Sequence, residues 1–172
     1  VPALKIGSGQ VTNPELLAVA AATGVPLIIS TGGATLAQVA LAAGIVDSTP
    51  GSAGCAVLQC TSLYPCPPEE LNLAAIPRLR ELLPETVIGL SDHHDGIAMG
   101  PPAYVLGARI FEKHFTLSRS WKGSDQAFSL EPEGFRRFAR DVKAMPLALG
   151  DGEKRLLVDE IPALRKMGRR DV

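Results

Sequence analysis

Short runs of apolar residues alternate along the chain with longer segments in which apolar residues recur every three or four positions. The short runs cover residues 3–9, 26–31, 56–62, 86–92 and 109–115. Within them apolar residues mostly follow one another directly, a pattern typical of parallel strands that are covered on both faces. The sequence therefore predicts five parallel strands.

The segments between these runs have the spacing of amphipathic helices. Asn13, Pro14 and Glu15 supply an N-cap, a first-turn proline and a first-turn acid, and Gly24 supplies a stop. Three further apolar stripes predict helices: Leu36, Val39, Ala40 and Ala43 before Gly44; Leu73, Ile76, Leu79 and Leu82 after Asn72; and Phe135, Phe138, Val142 and Met145 after Pro132. Five βα units result, each of roughly 25–30 residues.

Two architectures are built from such units. A doubly wound sheet has a GxGxxG phosphate turn after its first strand, and residues 7–13 (GSGQVTN) do not fit that pattern. A (β/α)₈ TIM barrel places polar residues at the carboxyl ends of successive strands. All five predicted strands end that way: Lys5 with Ser8, Ser30, Ser62 with Tyr64, Ser91 with His93, and Glu112 with His114. We therefore predict an α/β fold of TIM-barrel type, here an incomplete barrel of about five βα units.

Charge and composition narrow the functional classes. The net charge is −1, so neither nucleic acid nor an anionic membrane is an expected partner, and no apolar run reaches the length of a membrane span. The three cysteines form no CxxC pair, which favours reduced thiols in a cytoplasmic protein. Because Val1 already stands in a strand-like run, we expect the chain to be part of a longer protein.

Two of the three histidines follow neighbouring predicted strands. His93 and His114 would meet at one rim of a barrel, where two imidazoles and oxygen ligands suit a divalent first-row metal with open positions. Asp92 and Glu112 are candidate acceptors for the imidazole N–H groups, and His94 should face away. The alternative is that both histidines are hydrogen-bonded structural residues.

The remaining polar rim residues suggest an anion site. Lys5 is a cation in an otherwise apolar strand, and the glycines that follow it permit close backbone approach. One lysine and several hydroxyls can hold a phosphate group without a P-loop. The candidate hydroxyls are those of Ser8, Ser30, Ser62 and Ser91. Helix capping is the alternative role for each serine taken singly.

Two further residues are candidates for contact with an organic substrate. Tyr64 precedes prolines that force an extended loop, so it either presents its ring to a substrate or packs the loop. Residues 117–132 are long for a βα connection, and such loops in barrels commonly bind substrate. Asp125 lies in the middle of that loop, where it either bonds substrate hydroxyls or forms a turn.

The order and spacing of seven motifs make the chain resemble the sialic acid synthase (NeuB-type) family. The motifs are KIGSG (5–9), LIISTGGATLAQV (27–39), CTSLYPCPPEELNL (60–73), GLSDH (89–93), GARIFEKHFTL (107–117), SDQAFSLEP (124–132) and ALGDGEK (148–154). The resemblance implies a TIM barrel that condenses phosphoenolpyruvate with an N-acetylated hexose, such as N-acetylmannosamine. The products would be a sialic-type acid and phosphate. The family also implies a divalent metal, Mn²⁺ first and Mg²⁺ or Co²⁺ as alternatives, and a homodimer of the full-length protein.

Carried over motif by motif, the resemblance assigns a role to each candidate. His93 and His114 would bind the metal. Glu112, Tyr64 and Asp125 would be catalytic, with Glu112 supporting the site beside His114 and the other two facing the sugar. The substrate-binding set would be Lys5, Ser8, Gln10, Ser30, Ser62 and Ser91. Residues 1–154 would be strands 4 to 8 of the family barrel, and 155–172 a linker toward an antifreeze-like domain.

The residues that depart from the family pattern belong to the part of the site that would bind the acceptor sugar. Gln10 stands where an acid is common, Gln59 where histidine is common, and Ser62 where asparagine is common. Relatives that make legionaminate, pseudaminate or spore-coat sugars are therefore alternatives for the product. A truncated, non-catalytic homologue that binds metal or phosphosugar is another alternative. A third alternative is a metal-dependent aldolase that uses pyruvate, in which Lys5 would form a Schiff base.

Overall fold

Five parallel strands form one sheet in the computed structural model, which describes residues 1–171. The strands are β1 (Leu4–Ile6), β2 (Leu27–Ser30), β3 (Cys55–Cys60), β4 (Val87–Asp92) and β5 (Ile110–Lys113). They lie side by side in chain order. A doubly wound sheet reverses its strand order at a switch point, so the unbroken order confirms the barrel-type prediction.

Six helices accompany the sheet in the described residues, with one after each strand. They are α1 (Pro14–Ala21), α2 (Leu36–Ser48), α3 (Ala75–Leu82), α4 (Gly100–Val105), α5 (Pro132–Leu149) and α6 (Ile161–Lys166). The five predicted βα units are thus confirmed. Helix α4 was not indicated by any apolar stripe, because it has only six residues and two of them are prolines.

Local chemistry explains most of the element ends. The Asn13 side chain accepts a hydrogen bond from the Leu16 amide at 3.1 Å, as expected of the N-cap of α1. The predicted first strand stops at Ile6 because Ser8–Gln10 form a 3₁₀ turn. The prediction that the second helix ends before Gly44 is wrong: α2 continues to Ser48, begins with a Thr35–Gln38 capping box and buries Val46.

The two faces of the sheet have different roles. Alternate strand residues point toward the helices and form an apolar core in two clusters, one around β1, β2, α1 and α2, the other around β3, β4, α3 and α4. The strand residues of these clusters are Ile6, Leu27, Ile29, Val57, Ile88 and Leu90. The intervening residues face the other way, and those nearest the carboxyl ends are polar. This second face carries the site.

Two segments lie outside the sheet and its core. Residues 114–131, between β5 and α5, turn back beside the end of β5, where Phe115 pairs with Leu130. Residues 151–171 are exposed almost throughout and contain α6. The predicted linker 155–172 covers this helix, and Val172 lies outside the described residues. None of the helices seen in residues 1–171 is both long and apolar enough to cross a membrane.

Candidate active site

A pocket of about 260 Å³ opens at the carboxyl ends of the strands. Four of the five strands contribute side chains to it, and its lining is mostly polar and charged. The lining residues are Lys5, Gly7, Ser8, Ser30, Tyr64, Ser91, His93, Glu112, Lys113 and His114. Eight of the eleven predicted site residues therefore lie around one pocket, and the other three, Gln10, Ser62 and Asp125, are outside its lining.

The two predicted metal ligands face each other across the strand pair β4–β5. Ser91 is registered with Glu112, so His93 and His114 occupy the next equivalent step. Their ring centroids are 5.1 Å apart. Both imidazoles therefore lie on one side of the sheet, as strand alternation predicts, within reach of one small ion or ligand.

A backbone carbonyl fixes the tautomer of His93. Its Nδ1 lies 2.9 Å from the Thr61 carbonyl oxygen, and a carbonyl can only accept a hydrogen bond. Nδ1 therefore carries the proton, and in the neutral ring the lone pair is on Nε2. This is the arrangement found in metal-ligating histidines, whose other nitrogen donates to a carbonyl or carboxylate.

The expected role of Asp92 beside the imidazoles is contradicted. Asp92 points to the helix side of the sheet, where its carboxylate accepts from Lys113 Nζ at 2.8 Å and from the His94 amide at 2.9 Å. Strand alternation explains this, since Asp92 lies between the inward positions of Ser91 and His93. His94 lies away from the pocket as predicted, with Nδ1 3.1 Å from the Cys66 carbonyl oxygen.

Glu112 likewise bonds to other partners than the imidazoles. Its Oε2 accepts from Ser91 Oγ at 2.6 Å and from Ser30 Oγ at 3.2 Å, and lies 3.5 Å from Lys5 Nζ. One cation and two hydroxyls from three strands thus converge on a single anionic oxygen. The same donors can bind the oxygens of a phosphate or carboxylate ligand.

Ser8 and Ser62 are joined through a close backbone approach at Gly32. The Gly32 amide donates to Ser8 Oγ at 3.0 Å, and a Cβ at Gly32 would collide with Ser62 Oγ. Ser8 Oγ donates to Cys60 Sγ at 3.4 Å, and Ser62 Oγ is 3.9 Å from the same sulfur. The missing side chain at Gly32 leaves room for both hydroxyls, that of Ser8 in the pocket lining and that of Ser62 outside it.

Aromatic rings cover the imidazoles. The Tyr64 ring centroid is 4.3 Å from that of His93 and 5.7 Å from that of His114, and the Phe128 centroid is 5.2 Å from His114. Asp125 Oδ2 is 3.7 Å from His114 Nδ1, so the long β5–α5 connection brings an acid beside the second imidazole.

Gln10 lies farthest from the cluster. Its side chain is exposed, and its Oε1 accepts a hydrogen bond from Asn13 Nδ2 at 2.9 Å. The predicted contact of Gln10 with substrate therefore depends on how far a bound sugar extends beyond the pocket.

Sequence reasoning missed four groups in the site, one of which is Lys113, a pocket-lining residue next to His114. The Thr61 carbonyl is a backbone group and leaves no trace in the sequence. Phe128 had the signal of being an aromatic residue within the long loop. Cys60 could have been found by strand alternation, because it follows Leu58 on the inward face of β3.

The surroundings shift the pKa values of three of these groups. Burial opposes charging of His93, but its hydrogen bonds with the Cys60 thiol and the Thr61 carbonyl outweigh this and raise its pKa above 6.5. Burial and repulsion from His93 lower the pKa of His114. Burial alone would raise the pKa of Cys60, but hydrogen bonds from His93 and Ser8 lower it overall.

The donor set fits an open metal site rather than a closed cage. Within residues 1–171 no three His, Cys, Asp or Glu side chains converge as a ready-made ligand group. Two imidazoles, one with Nδ1 held by a carbonyl and Nε2 3.5 Å from Ser91 Oγ, provide nitrogen ligands of the kind that first-row divalent metals accept. Such a site leaves positions for water or substrate.

Comparison with known proteins gives consistent matches. The sequence profile of the NeuB family matches residues 1–154. N-acetylneuraminate-9-phosphate synthase of Homo sapiens is 39% identical over 98% of this chain and 46% of its own length. N,N'-diacetyllegionaminic acid synthase of Legionella pneumophila is 35% identical over 100% of this chain and 49% of its own.

A solved structure agrees over the same range. N-acetylneuraminic acid synthetase from Leptospira borgpetersenii, in complex with citrate, superposes with a TM-score of 0.83 at 32% identity, covering 99% of this chain and 60% of that one. The chain thus spans about half the length of the curated relatives that it matches.

Proposed function

The chain belongs to the NeuB family, and on that premise we propose that it carries the phosphate- and metal-binding part of a synthase for a sialic-type acid. The reaction would join phosphoenolpyruvate to an N-acetylated hexose and release phosphate. The observation that carries this proposal is the sharing of one pocket by an anion-binding cluster and an imidazole pair. Such a reaction needs both together, one for the enol phosphate and one beside the sugar aldehyde.

Phosphoenolpyruvate would bind at the Lys5 end of the pocket. Lys5, Ser30 and Ser91 already converge on one carboxylate oxygen of Glu112. An incoming phosphate or carboxylate would present several such oxygens, and charge-assisted hydrogen bonds from these donors would hold it. Ser8 and the Gly32 amide, bonded to each other at 3.0 Å, extend the donor surface.

We propose that a divalent cation, Mn²⁺ in the first place, would be held by His93 and His114. Bound there, it would act as a Lewis acid that polarises a carbonyl oxygen. The chain's own contribution is to orient both imidazoles and to keep His114 neutral. The lowered pKa of His114 and the carbonyl contact of His93 Nδ1 support this.

The bond changes of the proposed condensation suggest roles for three side chains. C3 of phosphoenolpyruvate attacks the aldehyde carbon, and the aldehyde oxygen takes up a proton. Water adds at C2 and gives up a proton, after which the C–O bond to phosphate breaks. Glu112, hydrogen-bonded to Ser91 and Ser30, would accept the proton from water. Tyr64 and Asp125, beside the imidazoles, would orient the sugar.

The acceptor sugar is the least constrained part of this proposal. Relatives are named for different products, among them N-acetylneuraminate 9-phosphate and N,N'-diacetyllegionaminate. Adding three carbons ahead of the sugar turns its C6 into C9 of the product. A 9-phosphate product therefore corresponds to a 6-phosphorylated hexose, and both forms of the acceptor need to be tested.

A non-catalytic, ligand-binding role is the second candidate. It is favoured by Gln10, whose side chain bonds to Asn13 and lies outside the pocket lining. For the full-length protein we propose a homodimer, on the family resemblance. We also propose a cytoplasmic location, which the free thiols of Cys55, Cys60 and Cys66 support.

Phosphate release tests the proposal. The chain is incubated with phosphoenolpyruvate, Mn²⁺ and, in separate assays, N-acetylmannosamine, its 6-phosphate or a diacetamido hexose. We expect acceptor-dependent release that is lost in His93→Ala and in His114→Ala but kept in His94→Ala, the matched control outside the pocket. Binding of phosphoenolpyruvate without release, measured by calorimetry, would favour the non-catalytic role. Neither binding nor release would overturn both.

A further inference from the structure

A buried ion pair lies on the helix side of the sheet, behind the imidazoles. Lys113 Nζ and Asp92 Oδ2 are 2.8 Å apart, and each side chain is only 1% exposed. The two residues are registered with each other across β4 and β5. Each is also the immediate neighbour of a pocket histidine in the sequence, since Asp92 precedes His93 and Lys113 precedes His114.

The ion pair holds the backbone of His94, the residue that follows His93. Asp92 Oδ1 accepts from the His94 amide at 2.9 Å, and Lys113 Nζ also donates to the His94 carbonyl oxygen. The carboxylate thus divides its oxygens between the ammonium group and the backbone. Both polar backbone groups of His94 are held by side chains that belong to two different strands.

The rest of His93 is held from the opposite side. Its carbonyl oxygen accepts from the Cys66 amide at 2.9 Å, and its Nδ1 contacts the Thr61 carbonyl oxygen at the same distance. The loop after β3 therefore holds His93 itself, while the ion pair holds the next residue. Removing the ion pair would leave the loop contacts as the main polar support for this turn.

Fold stability alone gives little reason for such a pair. Burying two charges carries a large desolvation penalty, and an apolar pair of similar volume often serves the fold as well or better. The geometric role is distinctive, because only a donor and an acceptor together can hold both backbone polar groups of one residue.

We propose that Asp92 and Lys113 are positioning residues that clamp the backbone of His94 and thereby hold the His93 ring toward His114. The expected effect of this clamp on metal binding rests on the proposed function. The clamp itself is a property of the metal-free chain. Lys113 also lines the pocket, but its ammonium group and the Asp92 carboxylate bond to each other and to the His94 backbone, so both residues act through His93.

The test replaces the pair by apolar residues of similar size, Asp92→Leu with Lys113→Met. We expect the double variant to fold, with the amide of His94 exchanging hydrogen at least roughly tenfold faster in the metal-free chain. Supporting residues behind metal-ligating histidines typically contribute roughly 10- to 100-fold in affinity, so Mn²⁺ binding by calorimetry should weaken by that factor. Asp95→Ala is the matched control. It removes the exposed ion pair between Asp95 and Arg119 in the same turn but leaves the backbone contacts of His94 in place.

Three results would overturn the clamp. One is a folded double variant with unchanged exchange at His94 and unchanged Mn²⁺ affinity. Another is weaker Mn²⁺ binding without faster exchange, since the pair would then act through its charge. If the double variant does not fold, the wild-type chain decides: a His94 amide that exchanges as fast as exposed loop amides refutes the proposal. Exchange is measured without metal or substrate, so failure of phosphate release would leave this result standing.

Discussion

The two pocket imidazoles ionise under different local influences although their ring centroids are only 5.1 Å apart. His93 is stabilised as a cation by hydrogen bonds that outweigh its burial, whereas His114 is buried and repelled by His93. Neighbouring groups whose pKa values are pushed apart are characteristic of functional sites. At the residue scale the site therefore has one imidazole that readily accepts a proton and one that stays neutral.

We predict that the two rings titrate on opposite sides of 6.5 in the metal-free chain. His93 should take up its proton above that pH and His114 below it. Protonation of His93 therefore favours the folded state, a contribution lost as pH rises through its folded pKa. The depressed pKa of His114 has the opposite effect. As pH falls, His114 takes up a proton more readily in the unfolded chain than in the folded one, so acid favours unfolding. Two-dimensional NMR of ring resonances across pH 5–8 measures both, with His93→Ala and His114→Ala for assignment. Coincident or reversed midpoints would contradict the prediction.

At the scale of elements, the register of β4 and β5 decides whether the site forms. Gly89 is the position where this register is most sensitive, because a Cβ there would collide with the Ile110 carbonyl oxygen and the Leu58 side chain. Ser91 and Glu112, a registered pair two steps farther along the strands, depend on the same spacing for their 2.6 Å hydrogen bond.

We predict opposite effects for two glycine-to-alanine changes. Gly89→Ala should lower the free energy of unfolding by about 1–3 kcal/mol, because the added methyl forces β5 away from β4. Gly44→Ala should raise it by about 0.5–1 kcal/mol, because Gly44 is an exposed position inside α2 with open space around its Cα. Urea unfolding followed by circular dichroism measures both. Equal effects of the two changes would show that close packing of β4 on β5 is not the cause.

The elements were largely predictable because strands and helices follow local periodicity. The five strands, their polar ends and the N-cap at Asn13 were all visible in the sequence. The end of α2 was not, because burial of Val46 outweighs the low helix propensity of Gly44. The direction of Asp92 follows from strand alternation and could have been predicted, whereas its partner Lys113 could not, because it lies on another strand and only the register reveals the pair.

At the scale of the whole molecule, the pocket depends on residues that are far apart in the sequence. Lys5 comes from the first strand and His114 from the end of the last, and the described sheet brings them to one edge. Such a site exists only in the folded chain, so any ligand that binds it must stabilise folding by mass action.

We predict that Mn²⁺ raises the thermal midpoint of unfolding of this chain and that Ca²⁺ does so much less. Neutral imidazole nitrogens suit a first-row transition metal, whereas Ca²⁺ prefers oxygen ligands. At a concentration 100 times its dissociation constant, a ligand specific for the folded state adds about 2.7 kcal/mol, which is easily measured by calorimetry. His93→Ala and His114→Ala should remove the shift, and His94→Ala should keep it. A shift that survives loss of either pocket imidazole would place the metal elsewhere on the chain, because a cation shared by two nitrogen ligands cannot be indifferent to losing one.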